Sequence, residues 1–141
     1  MSEDDDGADD VAPPPPRATL AWFGHEEAEQ ALLDAYRGGR MPHAWLIGGG
    51  PPGIGKATLA YRMARFVLAH PDCAAPEVQS ARSLALPPDH RAAHLVASQG
   101  HPDLLVLERQ PGDSGALRTV ITVEDVRRLV PFLGSTAREA G

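Results

Sequence analysis

A chain of 141 residues with a single cysteine has room for one domain and for no internal disulfide. Its nineteen acids against thirteen Lys and Arg give a net charge of −6, but six of those acids (Glu3, Asp4, Asp5, Asp6, Asp9, Asp10) lie within residues 1–16, which hold no base. The thirteen acids left balance the thirteen bases, so the body lacks the basic footprint of a nucleic-acid binder. It has no apolar run of the roughly 18 residues that a membrane span needs. The acidic start is not a secretion signal. The expected location is the cytoplasm.

Taken in order, residues 1–19 read as a disordered acidic and Pro-rich tail, with a stiff polyproline stretch from Pro13 to Pro16. Trp22 and Phe23 follow. A helix is predicted from about Glu26 to Arg37, with Ala28, Ala31, Leu32, Ala35 and Tyr36 on one face. Gly38 and Gly39 end it. Ala44–Ile47 is a short apolar run that predicts a strand.

After a glycine-rich stretch, a second helix is predicted from about Lys56 to Ala69, with Leu59, Met63, Phe66 and Val67 inward. Residues 70–87 are Pro- and Ala-rich with little pattern. A third helix is expected from Pro88 or Asp89 to about Ser98. Leu104–Leu107 reads as a buried strand, and Leu117–Ile121 as a shorter one, a candidate hairpin partner. Thr122 is an N-cap with Asp125 three residues on, opening a helix to about Leu133. Pro131 should kink that helix or end it early. Strands alternating with helices predict an α/β fold with a mostly parallel sheet.

The stretch Gly48–Thr58 carries the chemistry. A strand, a glycine-rich loop and a helix, with Gly50, Gly55 and Lys56 in the spacing Gly, four residues, Gly-Lys, make a phosphate-binding loop pattern. Glycines let backbone N–H groups converge on an anion, and the helix start adds positive potential. The lysine neutralises the β- and γ-phosphates, and a hydroxyl after it holds Mg²⁺. Ala57 stands where that hydroxyl belongs, and Thr58 comes one residue late, about 100° further round the helix. The expected cofactor-binding residues are Gly50, Gly53, Ile54, Gly55, Lys56, Ala57 and Thr58. ATP is the expected ligand, Mg²⁺ weakly held or absent, and no residue is assigned a catalytic role.

Four segments in order, Arg40–Ile47, Gly50–Lys56, His101–Leu107 and Ile121–Leu129, resemble the clamp-loader branch of the AAA+ ATPases. Within that branch they are most similar to the N-terminal part of the delta-prime family of bacterial DNA polymerase III subunits. The resemblance implies a P-loop NTPase sheet with flanking helices over residues 20–141, truncated before the Walker B strand and before the Ser-Arg-Cys motif. It implies a role in loading the sliding clamp during DNA replication. The partners would be the other clamp-loader subunits (delta and gamma/tau) and, through them, the clamp and primed DNA. Ala57 matches a member whose own ATPase activity is weak or absent, inside a holoenzyme that is a nucleotidyltransferase.

The same family carries a four-cysteine zinc module in the region of residues 70–100. Here only Cys73 is present, with His70, His90, His94 and His101 nearby. That spacing fits no standard zinc site, so a degenerate, metal-free insertion is expected. Two other readings stand beside this one. An active P-loop ATPase or small nucleotide-dependent kinase needs a metal-binding hydroxyl and an acidic strand end. A direct DNA-binding module has no electrostatic support in a neutral body.

Overall fold

The structure is a computed structural model, and it describes residues 12–117 and 119–135. Among the described residues six helices run in the order α1 (Glu26–Arg37), α2 (Lys56–Ala69), α3 (Pro76–Gln79), α4 (Arg91–Ala97), α5 (Val123–Arg127) and α6 (Leu129–Leu133), after a 3-10 turn at Pro16–Ala18. Among the described residues there is no β-strand. An isolated antiparallel bridge joins Pro111 to Leu117.

The expected α/β architecture, a P-loop NTPase parallel sheet with flanking helices, is therefore incorrect for this fold. Ala44–Ile47, Leu104–Leu107 and the described part of Leu117–Ile121 are irregular backbone. A strand is stable only beside another, because its N–H and C=O groups need cross-strand partners. A run of four apolar residues specifies burial and not pairing. Ala44–Ile47 does not even achieve the burial: Leu46 is 97 % exposed and Trp45 42 %.

Helices assemble the core instead. Leu32, Leu33 and Tyr36 of α1 pack with Leu59, Met63 and Phe66 of α2, and Val78 of α3 and Leu84 close the cluster. The buried face of α1 is Glu29, Leu32, Leu33 and Tyr36, spaced i, i+3, i+4, i+7. It is turned from the alanine-containing face that the pattern suggested. Burial of larger side chains outweighs burial of alanines at roughly 25 cal/mol per Å² of apolar surface. The turn carries Glu29 inward.

Three arginines tie the N-terminal segment to this core. Arg65 is 2 % exposed and donates to Arg17 O at 3.1 Å and Thr19 O at 2.9 Å. Arg62 Nη1 donates to Leu20 O at 3.4 Å, and Arg17 Nε to Ala97 O at 3.2 Å. Of the segment expected as a tail, residues 1–11 lie outside the described residues. Its far end, Pro16–Ala18, is packed on α2 and α4.

α5 opens with the expected capping box. Thr122 Oγ1 accepts from Asp125 N, and the Asp125 carboxylate accepts from Thr122 N at 3.1 Å. α5 and α6 are two pieces of the one helix predicted, and the break falls at Arg128. Pro131 explains its position. Proline has no N–H for the carbonyl four residues back, Arg127, and its ring displaces that carbonyl.

Candidate functional site

The glycine-rich stretch forms a loop that runs directly into α2, with Lys56 as the first helical residue and Gly55 as N-cap. Gly49, Gly50, Gly53 and Gly55 have φ of +89°, +70°, +83° and +108°. A side chain is strained in that region by roughly 1–2 kcal/mol per residue, so the loop needs its glycines. Gly50 is also short of space: a Cβ there would lie 2.8 Å from Ile54 Cδ1. A Cβ at Gly55 would meet Trp22 Cζ3 at 3.4 Å.

Lys56 folds back over the loop. Its Nζ donates to Gly49 O at 3.1 Å and reaches Gly50 O at 3.5 Å. Pro51 and Pro52 have no N–H, and the N–H groups of Gly48, Gly49, Gly50, Gly53, Ile54 and Gly55 form no backbone–backbone hydrogen bond among the described residues. In α2 the first N–H bonded within the helix is that of Leu59, to Gly55 O at 2.9 Å. The N–H groups of Lys56, Ala57 and Thr58 therefore face the helix entrance without intrahelical partners. No acidic residue occupies the first turn of α2, so nothing there offsets the helix's positive end of roughly half a charge.

Beside the loop is a cavity of about 280 Å³. Gly48, Gly49, Gly50, Gly55 and Lys56 line one side of it, and Trp22, Ala28, Ile47, Ile54 and Leu59 give it apolar surface. His25 completes the lining, its ring 5.8 Å from that of Trp22. A lysine and a glycine-rich backbone beside apolar and aromatic side chains suit a ligand with an anionic group and a flat apolar part.

Of the residues expected to bind cofactor, Gly50, Ile54, Gly55 and Lys56 come together around this cavity. Gly53, Ala57 and Thr58 do not line it, and Ala57 is exposed. The residues that pattern reading missed are Trp22, His25, Ile47 and Leu59. Trp22 had a signal: it is half of an aromatic pair just before Gly24. Its neighbour Phe23 is 87 % exposed, so the backbone turn at Gly24 and His25 decides which ring faces in.

Three of the four histidines of residues 70–101 make structural contacts. His90 Nδ1 accepts from Ala92 N at 3.0 Å and caps α4. His101 Nδ1 accepts from Asp103 N at 3.1 Å. The His70 ring stacks edge-on against Phe66 at 4.7 Å, and its backbone carbonyl accepts the Tyr36 hydroxyl. Among the described residues no three His, Cys, Asp or Glu side chains are grouped to hold a metal ion. No helix among them is long and apolar enough to cross a membrane. Comparison with protein families, curated proteins and solved structures found no match to this chain.

Proposed function

We propose that Gly48–Thr58 is a phosphate-binding loop that takes a nucleotide, ATP first among them, without a metal hook of its own. The observation that carries this is Lys56 at the start of a 14-residue helix, behind a loop whose four left-handed glycines leave its N–H groups unpaired within the backbone. Lys56 would move from the Gly49 and Gly50 carbonyls onto the phosphates. The apolar wall around Trp22 would take the base. Ala57 supplies no oxygen for Mg²⁺, so hydrolysis on this chain is weak or absent.

The biological reading is a clamp-loader subunit of the delta-prime kind, acting in the cytoplasm through contacts with delta and gamma/tau subunits that do the hydrolysis. It rests on the ordered segments Arg40–Ile47, Gly50–Lys56, His101–Leu107 and Ile121–Leu129. The parallel sheet is no part of it.

Calorimetric titration with ATP, with and without Mg²⁺, tests the loop. The expected result is binding that barely depends on Mg²⁺, no turnover, and loss of binding in Lys56→Ala. Ala57→Thr should add a Mg²⁺ dependence of roughly tenfold in affinity. No ATP binding, or tight Mg²⁺-dependent binding with turnover in the unaltered chain, overturns the reading. Co-elution with delta and gamma/tau tests the assembly, and separate elution refutes it.

A further inference from the structure

A second cleft, of about 320 Å³, lies between α2, the end of α4 and the segment that follows it. It shares no lining residue with the glycine loop's cavity. Leu95 and Leu104 give it apolar surface, and Tyr61, His101, Glu108 and Arg128 are its chemically active lining.

Each of those four has a definable state. His101 is 6 % exposed, and its Nδ1 accepts the Asp103 N–H. An imidazole that accepts at Nδ1 carries its proton on Nε2, so the ring has one further donor to offer. The Tyr61 hydroxyl donates to Glu108 Oε1 at 3.2 Å and steadies that carboxylate. Burial, then the charge of Glu108, raises the Tyr61 pKa above its usual value, which keeps the phenol a donor. Arg128 sits at the α5–α6 break that Pro131 enforces. Its guanidinium is the geometry that binds carboxylates with two parallel hydrogen bonds.

An anion and a cation lining one cleft, beside the side chains of Leu95 and Leu104, suit a ligand that bears both charges and an apolar body. Phosphate is a poor match, since Glu108 repels a dianion. At about 320 Å³ the cleft is at the small end of ligand pockets. We propose that this cleft binds a small apolar zwitterion, an α-amino acid of leucine's size, with its carboxylate toward Arg128 and His101 and its ammonium toward Glu108.

Calorimetry on the full chain with L-leucine, N-acetyl-L-leucine, L-leucinamide and inorganic phosphate tests this. L-leucine should bind saturably, and blocking either charge should weaken it by roughly tenfold. Arg128→Gln should weaken L-leucine and leave L-leucinamide unchanged. Glu108→Gln should weaken L-leucine and leave N-acetyl-L-leucine unchanged. Absence of L-leucine binding, equal binding of all four probes, or preference for phosphate overturns the proposal. So does loss of L-leucine binding in Lys56→Ala, which would move the event to the glycine loop.

Discussion

Glu29 and Arg62 meet inside the α1–α2 interface, Nε to Oε1 at 2.9 Å, with side chains only 8 % and 10 % exposed. The same Oε1 accepts Leu84 N at 2.7 Å, and Arg62 Nη1 reaches Leu20 O. One carboxylate and one guanidinium thus join the N-terminal segment, both long helices and the chain after α3. Removing one partner strands the other charge in low dielectric. Arg62→Ala or Glu29→Ala should each cost about 3–5 kcal/mol. The double replacement Glu29→Leu with Arg62→Met should cost less than either, because no charge is stranded. Urea unfolding of the three variants checks the order, and a double variant worse than both singles would refute it.

Gly50 combines a left-handed backbone with a crowded Cβ position, 2.8 Å from Ile54 Cδ1. Gly50→Ala should cost about 1–2 kcal/mol in backbone strain and displace the end of the Ile54 side chain, which lines the cavity, weakening ATP binding by roughly tenfold. Gly53 has a similar φ but open space where its Cβ would be. Gly53→Ala should therefore pay only the backbone term and perturb binding less. Paired titrations of the two variants distinguish crowding from backbone strain.

Pro131 is the reason that one predicted helix is two. Pro131→Ala restores the N–H that Arg127 O lacks and removes the ring. The expected outcome is a continuous helix from Val123 to Leu133 and a gain of helical signal in circular dichroism. A proline inside a helix costs about 3 kcal/mol relative to alanine, which bounds the stabilisation. The gain should fall well short of that bound, since Pro131 already sits in the tolerated first turn of α6. An unchanged spectrum would place the cause of the break elsewhere.

His70 sets a pH dependence. Burial is the main cause that lowers its pKa, nearby His90 adds to it, and Glu77 opposes. The unfolded chain, with a pKa of about 6.5 at this position, takes up the proton first. Stability from neutral His70 is therefore fully present above about pH 6.5 and is lost as pH falls through the lower folded value. Thermal melts at pH 7.5 and 5.5 should differ, and His70→Phe, which keeps a ring against Phe66, should reduce the difference. A variant with the same pH slope as the parent would exclude His70 as its source.

Helix boundaries were legible because their signals are local. The two long helices, α1 and α2, begin and end where periodicity, glycines and Pro71 place them, and the Thr122–Asp125 box is visible as a spacing. The loop was legible for the same reason: Gly50, Gly55 and Lys56 form a pattern within seven residues. Leu33 and Glu29 were not read as buried, because the choice between two overlapping faces of α1 depends on what packs opposite. Arg62 and Arg65 look like solvent residues until the carbonyls of Arg17, Thr19 and Leu20 are brought beside them.

The sequence by itself determined the bounds of α1 and α2 and the Thr122–Asp125 cap, and it marked the glycine-rich loop, since each is set by interactions within a few positions; α3, in a stretch with little pattern, was not predicted. Only the tertiary structure decided that Ala44–Ile47 and Leu104–Leu107 are not strands. Strand formation is a property of pairs of segments, and an apolar run states a need for burial without naming a partner. The same holds for the cavity beside Lys56, whose apolar wall comes from Trp22, Ala28 and Ile47 through chain folding alone.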